Sequence, residues 1–273
     1  MYVQHKKEDC CGCNACMTIC PAKCITMKRD EEGFLYPEID ETKCLHCGMC
    51  QKVCDFNKTH DWDAMPQPKA YAAKQKSDLE RAKSQSGGMF AALSDVVLEM
   101  GGVVYGAGYD EEWNVMHKRA ETKEARDEMR GSKYVQSDMR DTFLHVLEDL
   151  SKGRIVLFSG THCQCAGLKS LAEMRHARTE KLFLVDIVCH GVPSPKVYQA
   201  YMEFMKKRHK GEIEGFNFRN KGKFGWHSHV ESAIIKGKEY DTELYVDLFY
   251  GHNALRPSCH QCPYKHTVHV TDI

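Results

Sequence analysis

The chain of 273 residues has no excess of charge of either sign: 38 lysines and arginines stand against 38 aspartates and glutamates. Proteins that grip nucleic acid through its phosphates concentrate cations, so no basic field invites such a partner here. No apolar run approaches the roughly 20 residues that cross a bilayer, so direct membrane insertion is not expected and any membrane association would pass through a partner. No stretch has the pattern of a secretory signal. Fifteen cysteines without such a signal argue for a reducing cytoplasm, of the kind found in an anaerobe, and against a disulfide framework. What remains is a neutral chain, expected to be cytoplasmic, with a large stock of thiols.

Eight of those thiols repeat one spacing twice. Cys10, Cys13, Cys16 and Cys20 are followed by Pro21; Cys44, Cys47, Cys50 and Cys54 are followed by Asp55. Three thiolates from one short loop reach three corners of a cube only if the loop curls, and Gly12 and Gly48 tolerate the positive φ that curling demands. The pattern resembles that of ferredoxins with two 4Fe-4S clusters, in which the fourth cysteine of each run serves the other cluster. Cluster one is therefore expected on Cys10, Cys13, Cys16 and Cys54, and cluster two on Cys44, Cys47, Cys50 and Cys20. Zinc knuckles use two ligand pairs across a longer gap, which these runs do not match. Cys11 and Cys24 fall outside the spacing and read as small buried residues. Lys6, Lys7, Lys23, Lys28, Lys43 and Lys52 either balance cluster charge or are ordinary surface.

The expected fold class is α/β (α+β overall): a small ferredoxin-like two-cluster module, then a mixed-sheet α/β domain. Residues 1–56 form the module, with short strands at 24–28 and 34–39; 57–69, with Pro66 and Pro68, read as a linker; 70–273 form the second domain. In that domain strands are expected at 71–74, 103–108, 113–120, 154–159, 182–188, 213–219, 229–236 and 238–243. Helices are expected at 88–99, 122–130, 138–150, from 160 to 171, and from Pro195 to 208 behind a Ser194 cap. Strands alternating with helices imply a parallel or mixed sheet whose strand ends carry the site.

Two of those ends carry Cys163 and Cys189, and a CxxC follows at Cys259 and Cys262. The four would make a third 4Fe-4S site if they converge; otherwise they are two buried thiols and a zinc half-site with His260 and His266. Ser86, Gly87 and Gly88 precede a helix and could form an anion nest suited to phosphate, or a plain cap. Ser132, Lys133 and Tyr134 sit on a second glycine turn.

Together the segments 85–88, 131–135, 160–168, 186–195, 218–221, 225–226 and 256–262 resemble the coenzyme F420 hydrogenase/dehydrogenase beta subunit family, in the version with an N-terminal two-cluster domain. The resemblance runs in order along essentially the whole chain. It implies FAD, an additional cluster beside it on Cys163, Cys189, Cys259 and Cys262, and flavin contacts around Ser86, Gly87, Gly88, Ser132, Lys133 and Tyr134. Two residues depart from the family pattern, which has proline at His162 and an aliphatic residue at Cys165; Cys165 thus competes with Cys163 as ligand. The family pattern also continues beyond Ile273, so the chain is expected to be C-terminally truncated. The resemblance implies an oxidoreductase passing electrons from a hydride carrier, coenzyme F420 or another small molecule, through FAD to the clusters and on to a redox partner protein or larger complex. No catalytic side chain is assigned; His190 reads as a turn-filling polar residue, the alternative being a donor to a flavin or a thiolate. The alternatives are a non-catalytic iron–sulfur electron-transfer subunit, or a bacterial homologue with a different donor in polysaccharide metabolism.

Overall fold

The computed structural model describes residues 6–266 and 269–273; the first five residues of the expected module lie outside it. Each cysteine run curls into a loop and then a short helix, α1 (Ala15–Ile19) and α2 (Met49–Val53). Both loops need two left-handed residues at equivalent places. Gly12 and Asn14 supply them in the first (φ 69° at each), and His46 and Gly48 in the second (50° and 72°). The glycines expected to do this therefore occupy different places in the two loops. Asn and His, which tolerate this region better than most side chains, fill the remaining places. Between the loops, β1 (Ile25–Arg29) pairs antiparallel with β2 (Leu35–Ile39). Asp30 holds their turn by accepting the Glu32 and Phe34 amides, each at 3.0 Å.

A four-stranded sheet forms the centre of the second unit, in the order β4 (Val115–Ala120), β3 (Val103–Tyr109), β5 (Val156–Thr161), β6 (Leu182–Ile187). β3, β5 and β6 run parallel and β4 antiparallel, so the sheet is mixed. Continuous apolar runs such as Val156-Leu157-Phe158 suit strands covered on both faces. Around it lie α3 (Asp78–Ala82), α4 (Met89–Glu99), α5 (Lys123–Asp127), α6 (Thr142–Ser151) and α7 (His162–Met174), the last following β5 without a loop. α8 (Pro195–His209) begins where Ser194 Oγ accepts the Val197 amide. A second, antiparallel sheet of β7 (Ile213–Asn217), β8 (Glu231–Ile235) and β9 (Lys238–Thr242) follows, with α9 (Lys221–Phe224) and α10 (Leu244–Tyr250).

Four local expectations are revised. Residues 71–74 make no strand: Ala73 lies so close to Gly87 that a Cβ there would stand 2.4 Å from its carbonyl oxygen, and no ladder forms. The helix expected at 122–130 stops at Asp127, where the chain turns to bury Met129. The helix expected from 138 starts only at Thr142, because the Asp138 backbone bridges to Val115 and His117 on β4 instead. α10 was not expected. Its first turn is held by buried Glu231, whose carboxylate accepts the Tyr245 amide at 2.8 Å and the Val246 amide at 3.3 Å.

The module shares its core with the second unit. Ala15, Ile19, Ile25 and Val53 belong to the same apolar cluster as Val103, Phe143, Phe158 and Leu168. A unit this small buries too little surface alone, and packing on α7 supplies more. The stretch 57–69, read as a linker, also packs. Trp62 stacks on His60 (4.7 Å) and His266 (4.9 Å) and meets Tyr264 edge-on, while Lys58 Nζ donates to Ser170 Oγ on α7.

Candidate functional site: three cysteine groups and a cationic cleft

Two small cavities lie inside the module. One is lined by Cys10, Cys13, Cys16 and Cys54, with Cys11 and Cys163 also on its wall. The other is lined by Cys20, Cys44, Cys47 and Cys50, with Cys24 beside them. Cys20 and Cys54 have thus exchanged places relative to their order in the chain. α1 and α2 pack together and end in extended residues at Cys20 and Cys54 (φ −64° and −70°), where the chain turns out of each helix. The thiol of Cys24 is 3.4 Å from that of Cys20.

Electrostatics says what the first cavity can hold. Burial pushes the Cys10 and Cys16 thiols up, and burial with the nearby Cys13 and Cys10 pushes Cys54 up to about 12. Four ionised sulfurs facing one cavity would repel one another. A positively charged metal centre reverses that balance, so the donor set fits an iron–sulfur group. Cys13 is pulled down from the ordinary thiol value, first by hydrogen bonding from Cys11.

Cys163, Cys189, Cys259 and Cys262 come from the β5–α7 junction, the turn after β6, and the C-terminal loop. They converge: each lies within electrostatic reach of the other three. Cys163 occupies the first turn of α7, whose amide end favours a thiolate. Hydrogen bonding from Cys11 is the largest influence lowering it to about 7, and Thr161 Oγ1 lies 3.2 Å from its sulfur. Cys165, two residues on, faces away: it is fully buried in the core, 3.9 Å from the Val185 carbonyl.

A chain of hydrogen bonds anchors this junction. The Thr161 amide donates to Gln164 Oε1 (3.0 Å), and Gln164 Nε2 to Ser137 Oγ (3.0 Å). His117 Nδ1 lies 2.9 Å from Ser137 Oγ and its Nε2 3.1 Å from the Ser159 carbonyl. With Nε2 donating to the carbonyl, Nδ1 accepts from the serine, and His117 is neutral. Burial holds its pKa down at about 4.

Beside the cysteines, His162, Asp186 and His269 bring three donor atoms within 4.8 Å of one another. His269 Nδ1 lies 2.6 Å and His162 Nδ1 3.7 Å from Asp186 Oδ2, but the Val270 amide donates to His162 Nε2. That bond places the ring's proton on Nδ1, which faces Asp186 Oδ2 from beyond hydrogen-bond reach, so both atoms are buried without a hydrogen-bond partner.

The expected flavin segments meet only in part. A cleft of about 360 Å³ is lined by Ser132 and Lys133 together with Lys83, Arg130, Lys221 and Asn220. Its wall carries four basic side chains; Lys83 is paired with Glu80 and Arg130 with Glu80 and Asp127, which leaves Lys133 and Lys221 to face an anion such as a pyrophosphate. Ser86, Gly87 and Gly88 stand behind Ser84 and Gln85 and do not reach the wall. Tyr134 lies in an aromatic cluster, stacked on Phe249 at 4.5 Å. The Lys133 ammonium donates to the Arg130 carbonyl at 2.7 Å, and burial lowers its pKa to about 7. His190 packs on Phe249 and lies 2.6 Å from His252, both nitrogens being Nε2.

Cys11 is buried as expected, but sequence reasoning missed its place between two cysteine groups, and it missed Arg256, fully buried against the Cys10 loop. No spacing rule marks either residue; their roles depend on which loops the fold brings together.

Comparison with known proteins matches residues 153–273 to the C-terminal part of the coenzyme F420 hydrogenase/dehydrogenase beta subunit, and residues 9–58 to the 4Fe-4S dicluster domain. NADH-quinone oxidoreductase subunit I 2 of Geobacter metallireducens is 44% identical over 59 residues, covering 20% of this chain and 45% of that protein. A protein named ferredoxin 7Fe, from Hydrogenibacillus schlegelii, is 31% identical over 77 residues, 27% of this chain and 92% of the relative. The chain thus spans less than half the length of the oxidoreductase subunit it matches. Among solved structures, a chain of the F420-reducing NiFe hydrogenase complex from Methanosarcina barkeri aligns with 68% of this chain and 62% of its own, at 24% identity and a TM-score of 0.45.

Proposed function

We propose that this chain, whose residues 153–273 match the C-terminal part of the coenzyme F420 hydrogenase/dehydrogenase beta subunit and whose residues 9–58 match the 4Fe-4S dicluster domain, relays electrons between a small-molecule hydride carrier and a partner protein. Cys10, Cys13, Cys16 and Cys54 would hold one cluster, Cys44, Cys47, Cys50 and Cys20 a second, and Cys163, Cys189, Cys259 and Cys262 a third. Ser132, Lys133 and Lys221 would receive the phosphates of FAD. Clusters supply one-electron transfer and a flavin supplies the exchange between hydride and single electrons. The chain's own contribution is placement. The hydrogen-bond chain from Thr161 to His117 orients the junction that carries Cys163, and α7 presses that junction against the module.

One observation carries the reading: Cys163 of the third group lies on the wall of the cavity formed by Cys10, Cys13, Cys16 and Cys54. Sites this close exchange electrons without an added carrier. The test is anaerobic reconstitution of the full chain, with iron, sulfide and flavin counted and reduction by a reduced deazaflavin or nicotinamide followed in a dye-linked assay. About twelve irons, one flavin and donor oxidation are expected. Zinc in the module, or no low-temperature paramagnetic signal after dithionite, would sink the redox reading.

A second reading has its own support. Lys133 already spends its ammonium on backbone carbonyls, and Tyr134 is part of a core. Those features favour a cluster-only electron-transfer subunit, which would show iron and sulfide without flavin.

A further inference from the structure

Arg256 is fully buried. Its Nε donates to the Cys10 carbonyl at 2.6 Å, Nη1 to Gln136 Oε1 at 2.8 Å, and Nη2 to the Leu35 carbonyl at 2.8 Å. The Tyr36 and Phe34 rings lie 4.2 and 5.3 Å from its Cζ. All three acceptors are neutral, and among the described residues no carboxylate pairs with the guanidinium. A buried cation without a counter-charge is strongly unfavourable, so a fold that keeps one has an anion nearby.

The candidates are sulfurs. Arg256 packs against the Cys10–Cys13 loop so closely that a Cβ on Gly12 would stand 3.0 Å from Nη1. On its other side its own backbone carbonyl accepts the Cys259 amide at 2.9 Å. Its Nε bond fixes the guanidinium on the Cys10 backbone, and Cys163 stands on the wall of the same cavity as Cys10. The guanidinium therefore stands between one proposed cluster site and the next.

We infer that Arg256 is a counter-charge shared by two neighbouring iron–sulfur sites, one built on Cys10 and the other on Cys163 and Cys259, and that it raises the reduction potential of both. The inference rests on the cluster assignment proposed above. Reduction adds an electron to each site, and a fixed positive charge beside it stabilises the reduced state. Arg256 is in this sense a positioning and tuning residue. Among the described residues, no arginine or lysine lines the cavity of Cys20, Cys44, Cys47 and Cys50, so that site should be affected far less.

The experiment compares the parent chain with R256Q and R256K, reconstituted anaerobically, by iron and sulfide content and by redox titration with paramagnetic detection. R256Q should retain iron and make two of the three centres at least tenfold harder to reduce, a fall of about 59 mV per tenfold for one electron. R256K, which keeps the charge, should stay near the parent. R256Q with full iron and unmoved potentials overturns the inference, and so do equal shifts in both variants, which would show a packing effect. If R256Q fails to hold iron while R256K loads normally, the requirement for charge is upheld; equal failure of both overturns it. A parent chain holding zinc or no iron is a separate result, which removes the cluster assignment and this inference with it.

Discussion

Cys20 belongs to the first run by sequence and to the second cavity by position. The spacing rule made that exchange readable, because three residues of separation turn the fourth sulfur away from its own loop. It gives a double-mutant prediction. Cys20→Ala with Cys47→Ala should lose no more iron than Cys20→Ala alone, whereas Cys20→Ala with Cys13→Ala should empty the module; iron and sulfide analysis decides. His117 makes a different demand. It is neutral in the fold, with a pKa near 4, and titrates near 6.5 when unfolded. Between those values the unfolded chain binds the extra proton, so native stability should fall as pH drops from about 6.5 to about 4. The contribution present above that window is on the order of 3 kcal/mol. Denaturant unfolding at several pH values measures it, and His117→Gln should flatten the slope.

α7 meets the module at Gly167, where a Cβ would stand 2.7 Å from Cys13 Sγ. Gly167→Ala should push the helix away or displace the sulfur. The expected cost is about 1–3 kcal/mol in unfolding, with loss of iron from the Cys10 site but not from the Cys44 site. Unchanged iron at both sites would show that the contact yields freely. Elements also differ in how far sequence alone exposes them. β5 and β6 are unbroken apolar runs, and the start of α8 is marked by Ser194 and Pro195, so each is legible within its own residues. α10 is not, because Leu244-Tyr245-Val246 has the composition of a strand and its capping carboxylate, Glu231, comes from β8. The site divides the same way. The cysteine spacing is local, whereas Cys11, Arg256 and the His117 chain acquire their roles only when distant segments meet.

Across the whole molecule, the module's apolar core runs into that of the α/β unit, and Cys13, Cys16, Cys20, Cys44, Cys50 and Cys54 lie in or against that same cluster. Iron removal should therefore disturb more than residues 10–54. Treatment with a chelator under anaerobic conditions should lower the melting temperature by more than about 5 °C, and should release amide exchange protection in β1, β2 and the first turns of α7 while β3 and β5 hold. Protection lost only within the module would mean that the shared core stabilises the two units separately.

The clasp of Trp62, His60, Tyr264 and His266, with Lys58 tied to Ser170, leaves the module no slack to swing on. A relay whose halves were tethered loosely would have to wait for them to meet by diffusion, and glycerol or sucrose would slow it. Here the two halves are already in register, so internal conduction should be indifferent to solvent viscosity, and only the arrival of donor and acceptor should feel the thickness of the medium.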